Sequence, residues 1–320
     1  MTEQQQLGAE LARQVGAPLR VAVRGLPGVG SSAVTAALAA LHRFEIVGSA
    51  PDITVRVIAE VVKPEDVSAI EQAAGPVLVV LTKADLCGFG PGGPVETARR
   101  RCVRLATVTG AMTEPMVGLV ARAALDPDLL DAALLEALQV LAVTPADLRT
   151  APTFISGPHP VPAAQRRRLV EVLDLFGIAH AVIALRGAPA AGPDAVRAAL
   201  RQVSGVDEIV ACLEALGAEV RYRRLSALLA DWDLRALTDT RVAVALLSDD
   251  VVFARMAAAL EVMAAAGQAD IEVAEAEPKA AVLERALRWR RHAAGPWTAM
   301  HRQCAVDISR GTLRQWGAHR

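Results

Sequence analysis

Residues 18–24 read PLRVAVR, an apolar run of strand character, and feed directly into Gly25-Leu-Pro-Gly-Val-Gly30-Ser31-Ser32. An Ala-rich stretch from Ser31 to about Leu41, without Gly or Pro, then reads as a helix. A strand, a glycine turn and a helix in succession commit this part of the chain to a βαβ unit. The turn fits G-x-x-x-x-G-K-S/T at every fixed position but one, because Ser31 stands where the lysine belongs. In such a loop, successive backbone N–H groups and the following helix N-terminus form an anion-binding nest. Gly25, Gly28 and Gly30 supply the backbone freedom, and Ser32 takes the hydroxyl position that ligates Mg²⁺ beside a bound nucleotide. Without the lysine, the β- and γ-phosphates lose a point charge. Arg24 is the nearest candidate for a substitute cation. A tight turn with no ligand explains the same residues. A rival dinucleotide reading, G-x-G-x-x-A over Gly28, Gly30 and Ala33, needs an acid at the end of the second strand. Glu45 lies within FEIV rather than at its end, and Asp52 precedes the next strand.

The alternation continues beyond the loop. Residues 53–59 (ITVRVIA) alternate as a strand should, Pro64-Glu-Asp opens a helix to about Ala74, and 76–82 (PVLVVLT) is a buried parallel strand. A Gly/Pro loop at 88–94 precedes a helix near 95–101, and Val103–Val108 reads as a further short strand. The expected fold class is therefore α/β: a P-loop NTPase-like parallel sheet with helices, followed by a mostly α-helical domain. The division is expected as 1–115 and 116–320. In the second part Leu129, Leu130, Ala133, Leu134, Ala137 and Leu141 repeat at helical spacing. Thr150–Pro162, with four prolines, reads as an irregular linker. Helices are expected at 163–175, 193–203, 206–216, 224–230, 251–266 and 279–292, while 242–247 fits strand or helix.

Thr82-Lys83-Ala84-Asp85 follows the buried strand directly. In guanine-nucleotide proteins N/T-K-x-D at this place reads the base: Asp85 would accept from the ring N1 and N2 groups while the Lys83 stem covers the ring. The chain holds 31 Arg and only 3 Lys, so a lysine here is selective, and Arg is no geometric equivalent. A capped turn after a strand is the plainer alternative.

With these residues together, the chain resembles bacterial dynamin-like GTPases, in degenerate form. The resemblance covers about 18–230 in patches. It runs through RVAVRGLPGVGSS, the strand–helix–strand from Asp52 to Leu86, and Ala106-Thr-Val-Thr109-Gly110-Ala111. It continues weakly through Leu175-Phe-Gly-Ile178 and Leu200–Val206. It implies GTP or GDP as ligand and, with nucleotide, Mg²⁺ at Ser32. It also implies that Thr109, Gly110 and Ala111 touch the guanine carbonyl. Only 22 residues separate Gly30 from Ile53, too few for two switch segments, and no separate D-x-x-G precedes the tetrad. The expectation is a pseudo-GTPase without catalytic residues that acts through protein contacts, with an active dynamin-like GTPase or with itself. The alternatives are an active hydrolase using Arg24 or a partner's cation, and a membrane-peripheral helical scaffold without ligand.

Composition narrows the remaining classes. Net charge is −1, yet residues 285–320 carry eight Arg and a single acid, Asp307. Trp289, Trp297 and Trp316 fall in the same tail, taken as about 279–320. Such a tail has three readings: a solvated Arg-rich helix covering the domain with its long stems, a surface helix against an anionic membrane and, least favoured, a nucleic-acid contact. Cys87, Cys102, Cys212 and Cys304 form no C-x-x-C pair, and with no signal-like start or apolar run of about 18 residues the expected setting is cytoplasmic. His42, His159, His180, His292, His301 and His319 form no metal motif, and no G-x-S-x-G elbow is present. Asp249-Asp250 and Glu272, Glu275 and Glu277 read as solvated faces or helix starts.

Overall fold

The computed structural model describes residues 2–88, 90–187, 192–268 and 278–318. In chain order the elements begin α1 (Glu3–Gly16), β1 (Leu19–Gly25), α2 (Ser31–Ala40), β2 (Phe44–Ile46), β3 (Ile53–Ala59), α3 (Pro64–Glu71) and β4 (Val77–Thr82). Next come α4 (Gly93–Thr109), β5 (Met112–Met116), α5 (Gly118–Leu125), α6 (Ala132–Val143), α7 (Ala151–Ser156), α8 (Ala163–Gly187) and α9 (Pro193–Ser204). The chain closes with α10 (Val206–Ala236), α11 (Thr240–Leu246), α12 (Asp249–Ala265), α13 (Lys279–His292) and α14 (Ala299–Ala318). Two compact units result, Pro18–Leu213 and Met1–Ala17 with Glu214–Arg320. The sheet and the helices as far as α9 therefore belong together, rather than parting near residue 115.

The larger unit is an α/β fold around one parallel sheet of order β2-β1-β3-β4-β5. β4, flanked by β3 and β5, is the best-buried strand, with Leu78 through Leu81 fully enclosed, as expected of a strand covered on both faces. Parallel pairing puts the ends of β1, β3, β4 and β5 along one carboxyl edge, with Val57 opposite Gly25, Ala59 opposite Thr82, and Thr82 opposite Met116. The core joins Ile58, Val79 and Leu81 of the sheet to Leu134, Leu138, Phe154, Leu169 and Ile178 of the helices. Each such side chain contributes about 1.5–3 kcal/mol by leaving water.

Several local expectations change. Val103–Val108 is not a strand: it continues α4, which buries Ala98, Cys102 and Thr109 at helical spacing and leaves Val103 and Val108 exposed. The fifth strand is instead Met112–Met116, an edge position that tolerates Pro115 because the missing N–H has no neighbour to serve. The proline-rich 150–162 stretch holds α7, whose Pro152 sits in the first turn, where no N–H is needed, and whose Thr150 hydroxyl accepts from Thr153 N–H. Residues 242–246 lie in α11, with Leu247 as its C-cap, so the segment is helix and not strand.

In the smaller unit α1, α11, α12, α13, α14 and the second part of α10 enclose Leu7, Leu11, Leu225, Trp232, Val262, Trp289 and Ile308. Trp232 is fully buried, and its Nε1–H donates to Glu10 at 2.8 Å. No helix among the described residues is long and apolar enough to cross a membrane.

Candidate functional site

The carboxyl edge of the sheet between β1 and β3 is where the strand order reverses, the place at which open α/β sheets take ligands. The glycine loop occupies it. A Cβ on Gly25 would lie 2.8 Å from the Val57 carbonyl oxygen, so the close approach of β1's end to β3 requires glycine. Gly28 and Gly30 hold φ of 82° and 88°, left-handed values that side chains resist. The backbone N–H groups of Gly28, Gly30, Ser31 and Ser32 have no acceptor among the described residues. Four donors without an internal acceptor thus lie at and just before the start of α2, where a helix N-terminus also favours negative charge. The Ser32 hydroxyl is exposed beside them.

Thr82 ties the second motif to the first. Its side chain is buried, its hydroxyl donates to the carbonyl of Val29 inside the loop, and it lies 3.0 Å from the carbonyl of Ile58. Lys83 follows with φ of 54°; its carbonyl accepts from Leu86 N–H at 2.9 Å, and its exposed side chain has no hydrogen-bond or ion-pair partner among the described residues. Asp85 lies half-buried in the short 3₁₀ turn Ala84–Leu86. Burial lifts its carboxyl above the ordinary value near 3.8, and the nearby Asp174 carboxylate adds to the rise. Asp174 itself breaks α8, with φ 56° and ψ 175°, a conformation otherwise used by glycine.

Not every expected residue joins this edge. Thr109, Gly110 and Ala111 lie at the end of α4 and enter the amino end of β5, where Met112 pairs with Leu78 at the start of β4. They are therefore at the opposite edge of the sheet from Gly25–Ser32 and cannot share a ligand with it. The segment after β5 is Val117-Gly118, and it is taken up by packing: Val117 N–H donates to Ser204 O at 2.8 Å, and a Cβ on Gly118 would sit 3.2 Å from that of Ala33. Arg24 directs its guanidinium to the Gly48 carbonyl at 3.2 Å. Asp52 accepts from Arg20 N–H at 2.7 Å ahead of β3, and Glu45 sits within β2, 3.9 Å from Arg20. Neither acid ends β2, so the dinucleotide reading lacks its ribose partner.

One residue at this edge escapes sequence reasoning. Glu60 follows β3 with φ of 61°, and Val61 N–H donates to Ala59 O at 2.7 Å across it, a strained three-residue turn. Because Ala59 pairs with Thr82, Glu60 and Lys83 occupy corresponding positions at the ends of neighbouring strands. The available signal was a carboxylate ending the strand next to the glycine loop.

Elsewhere chemistry is sparse. No group of three or more metal-ligating side chains occurs among the described residues. Burial pushes the Cys102 thiol up to about 12, Cys212 to about 11 and Cys304 to about 12, leaving them protonated and inert. In the basic tail Trp289 is buried rather than displayed, Trp297 stacks on His292 at 4.6 Å between centroids, and Lys279 lies over Trp316. The flanking Arg288, Arg290 and Arg291 remain exposed. Glu272, Glu275, Glu277 and His319 lie outside the described residues. Comparison with protein-family models, with curated proteins and with solved structures finds no match for this chain.

Proposed function

We propose that the larger unit is a nucleotide-binding domain that holds the phosphates of a guanine nucleotide without hydrolysing them at a useful rate. The observation that carries this reading is that the Gly25–Ser32 loop, four of whose N–H groups lack an acceptor among the described residues, is bonded to the base-type tetrad through the Thr82 hydroxyl. The phosphates would lie on the nest, with Mg²⁺ held between them and the Ser32 hydroxyl, and Asp85 would face the base. Nothing in the loop supplies the charge of the absent lysine, and Arg24 is engaged with Gly48. Removing a single group that stabilises transition-state charge costs about 10²–10³ in rate, which favours a binder over a catalyst. The output of such a site is contact with a protein partner, either an active GTPase of the dynamin-like kind or a second copy.

Calorimetric titration of GDP, GTP and ATP into the purified protein tests this. Saturable GDP and GTP binding, silence for ATP and loss of binding in Gly30→Val are expected, with phosphate release at background. Silence for all three nucleotides, or steady turnover abolished by Asp85→Ala, would overturn it.

A further inference from the structure

The smaller unit contains a polar cavity of its own, independent of the nucleotide reading. It measures about 120 Å³ and opens beside a second space of about 400 Å³ that shares Leu247, Val252 and Arg310. Its floor is a buried carboxylate. Asp307 is 4% exposed, and its Oδ2 accepts from Tyr222 Oη at 2.7 Å and from Arg255 Nη2 at 3.1 Å. Its Oδ1 has only a long contact, 3.4 Å from Gln303 Nε2. A buried charge is retained where it is paired and bonded, and one of this carboxylate's two oxygens is left nearly unserved.

The other charges sort by partner. Arg255 is committed to Asp307, and Arg314 to Asp249 at 2.6 Å and the Leu247 carbonyl at 2.6 Å. Arg310 and Asp233 line the same cavity yet have no ion-pair or hydrogen-bond partner among the described residues. One free cation and one free anion thus face a space whose remaining charges cancel. A phosphate or simple carboxylate would satisfy Arg310 and confront both acids, and an amine would do the reverse. A zwitterion satisfies both. Leu229, Val251 and Val252 supply an apolar wall, and the volume suits a side chain of four carbons or fewer.

We propose that this cavity binds a branched aliphatic α-amino acid. Its carboxylate sits on Arg310, its ammonium donates to Asp233 and to Asp307 Oδ1, and its side chain lies against Leu229, Val251 and Val252. Calorimetry on the full chain with L-leucine, L-isoleucine and L-valine, each alone, tests the assignment. At least one should bind saturably, with a dissociation constant below about 1 mM. 4-Methylpentanoate and 3-methylbutylamine, each keeping one of the two charges, should bind at least about tenfold more weakly. Asp233→Asn and Arg310→Gln alter exposed side chains, should keep the wild-type circular dichroism, and should each weaken binding at least about tenfold. Silence for all three amino acids, equal affinity for either single-charge analogue, or unchanged binding by both variants would overturn the assignment.

Discussion

The hydroxyl of Thr82 donates to the carbonyl of Val29, so the last residue of β4 holds the middle of the glycine loop. Thr82→Val keeps the shape and removes the donor, leaving the Val29 and Ile58 carbonyls without it at a buried position. A loss of about 1–3 kcal/mol is expected in urea unfolding at constant m-value. A change under about 0.5 kcal/mol would show that the loop is held by other means.

Two left-handed glycines should answer differently to alanine. At Gly205, φ is 79° and a Cβ would lie 2.4 Å from the Pro115 carbonyl oxygen, so Gly205→Ala combines strain with a backbone clash. At Gly28, φ is 82° but nothing lies within 4 Å. Gly28→Ala should cost about 1–2 kcal/mol and Gly205→Ala at least about 3 kcal/mol, compared by thermal melts. Equal losses would refute the packing account of the Ser204-Gly205 turn against β5.

Much of the larger unit was legible, for reasons visible in particular residues. The strands ending at the glycine loop and at Thr82 announced themselves because a buried parallel strand is a dense apolar run. Met112–Met116 did not, because an edge strand can carry Glu114 and Pro115 and lose its pattern. Val103 and Val108 imitated a strand by spacing, while the period that mattered ran through Ala98, Cys102 and Thr109. Mistaking α4's end for a strand also displaced the Thr109–Ala111 assignment by a full sheet width. Residue types alone could not reveal Glu60 or the Asp174 break, since both depend on which strand or helix lies alongside.

Tyr222 is the single tyrosine, so phenolate absorbance reports it alone. Burial first, then its bond to the Asp307 carboxylate, raises its ionisation well above the ordinary value near 10. A tyrosine harder to ionise when folded contributes stability that is intact below about pH 10 and lost as pH rises beyond it. Phenolate should therefore appear only with alkaline unfolding, and Tyr222→Phe should flatten that decline while costing about 1.5–3 kcal/mol at pH 7. Phenolate appearing near pH 10 in the folded protein would contradict the buried network.

Asp85 carries the opposite sense for a carboxyl. Its raised value means that it holds a proton more tightly folded than unfolded, so its contribution is most favourable below pH about 3.8 and fades as pH rises through the folded value. Asp85→Asn should then be more stable than the wild type at pH 7, with the gain absent at pH 3, and the guanine selectivity we propose should be lost in the same variant. Asp174→Asn should lower the Asp85 titration midpoint only in part, because burial is the larger cause. A carboxyl titration at the ordinary position would remove the conflict on which both expectations rest.

Glu10 and Trp232, bonded in the smaller unit, are 222 positions apart in the chain. At about 5–20 residues per second, α1 would leave the ribosome roughly 10–45 s before the indole that completes its surroundings. Throughout that interval Leu7 and Leu11 present a greasy stripe to whatever chaperones meet the nascent chain, while the Pro18–Leu213 segment is made in between. Newly made protein should therefore depend on holdase chaperones more than its finished stability would suggest.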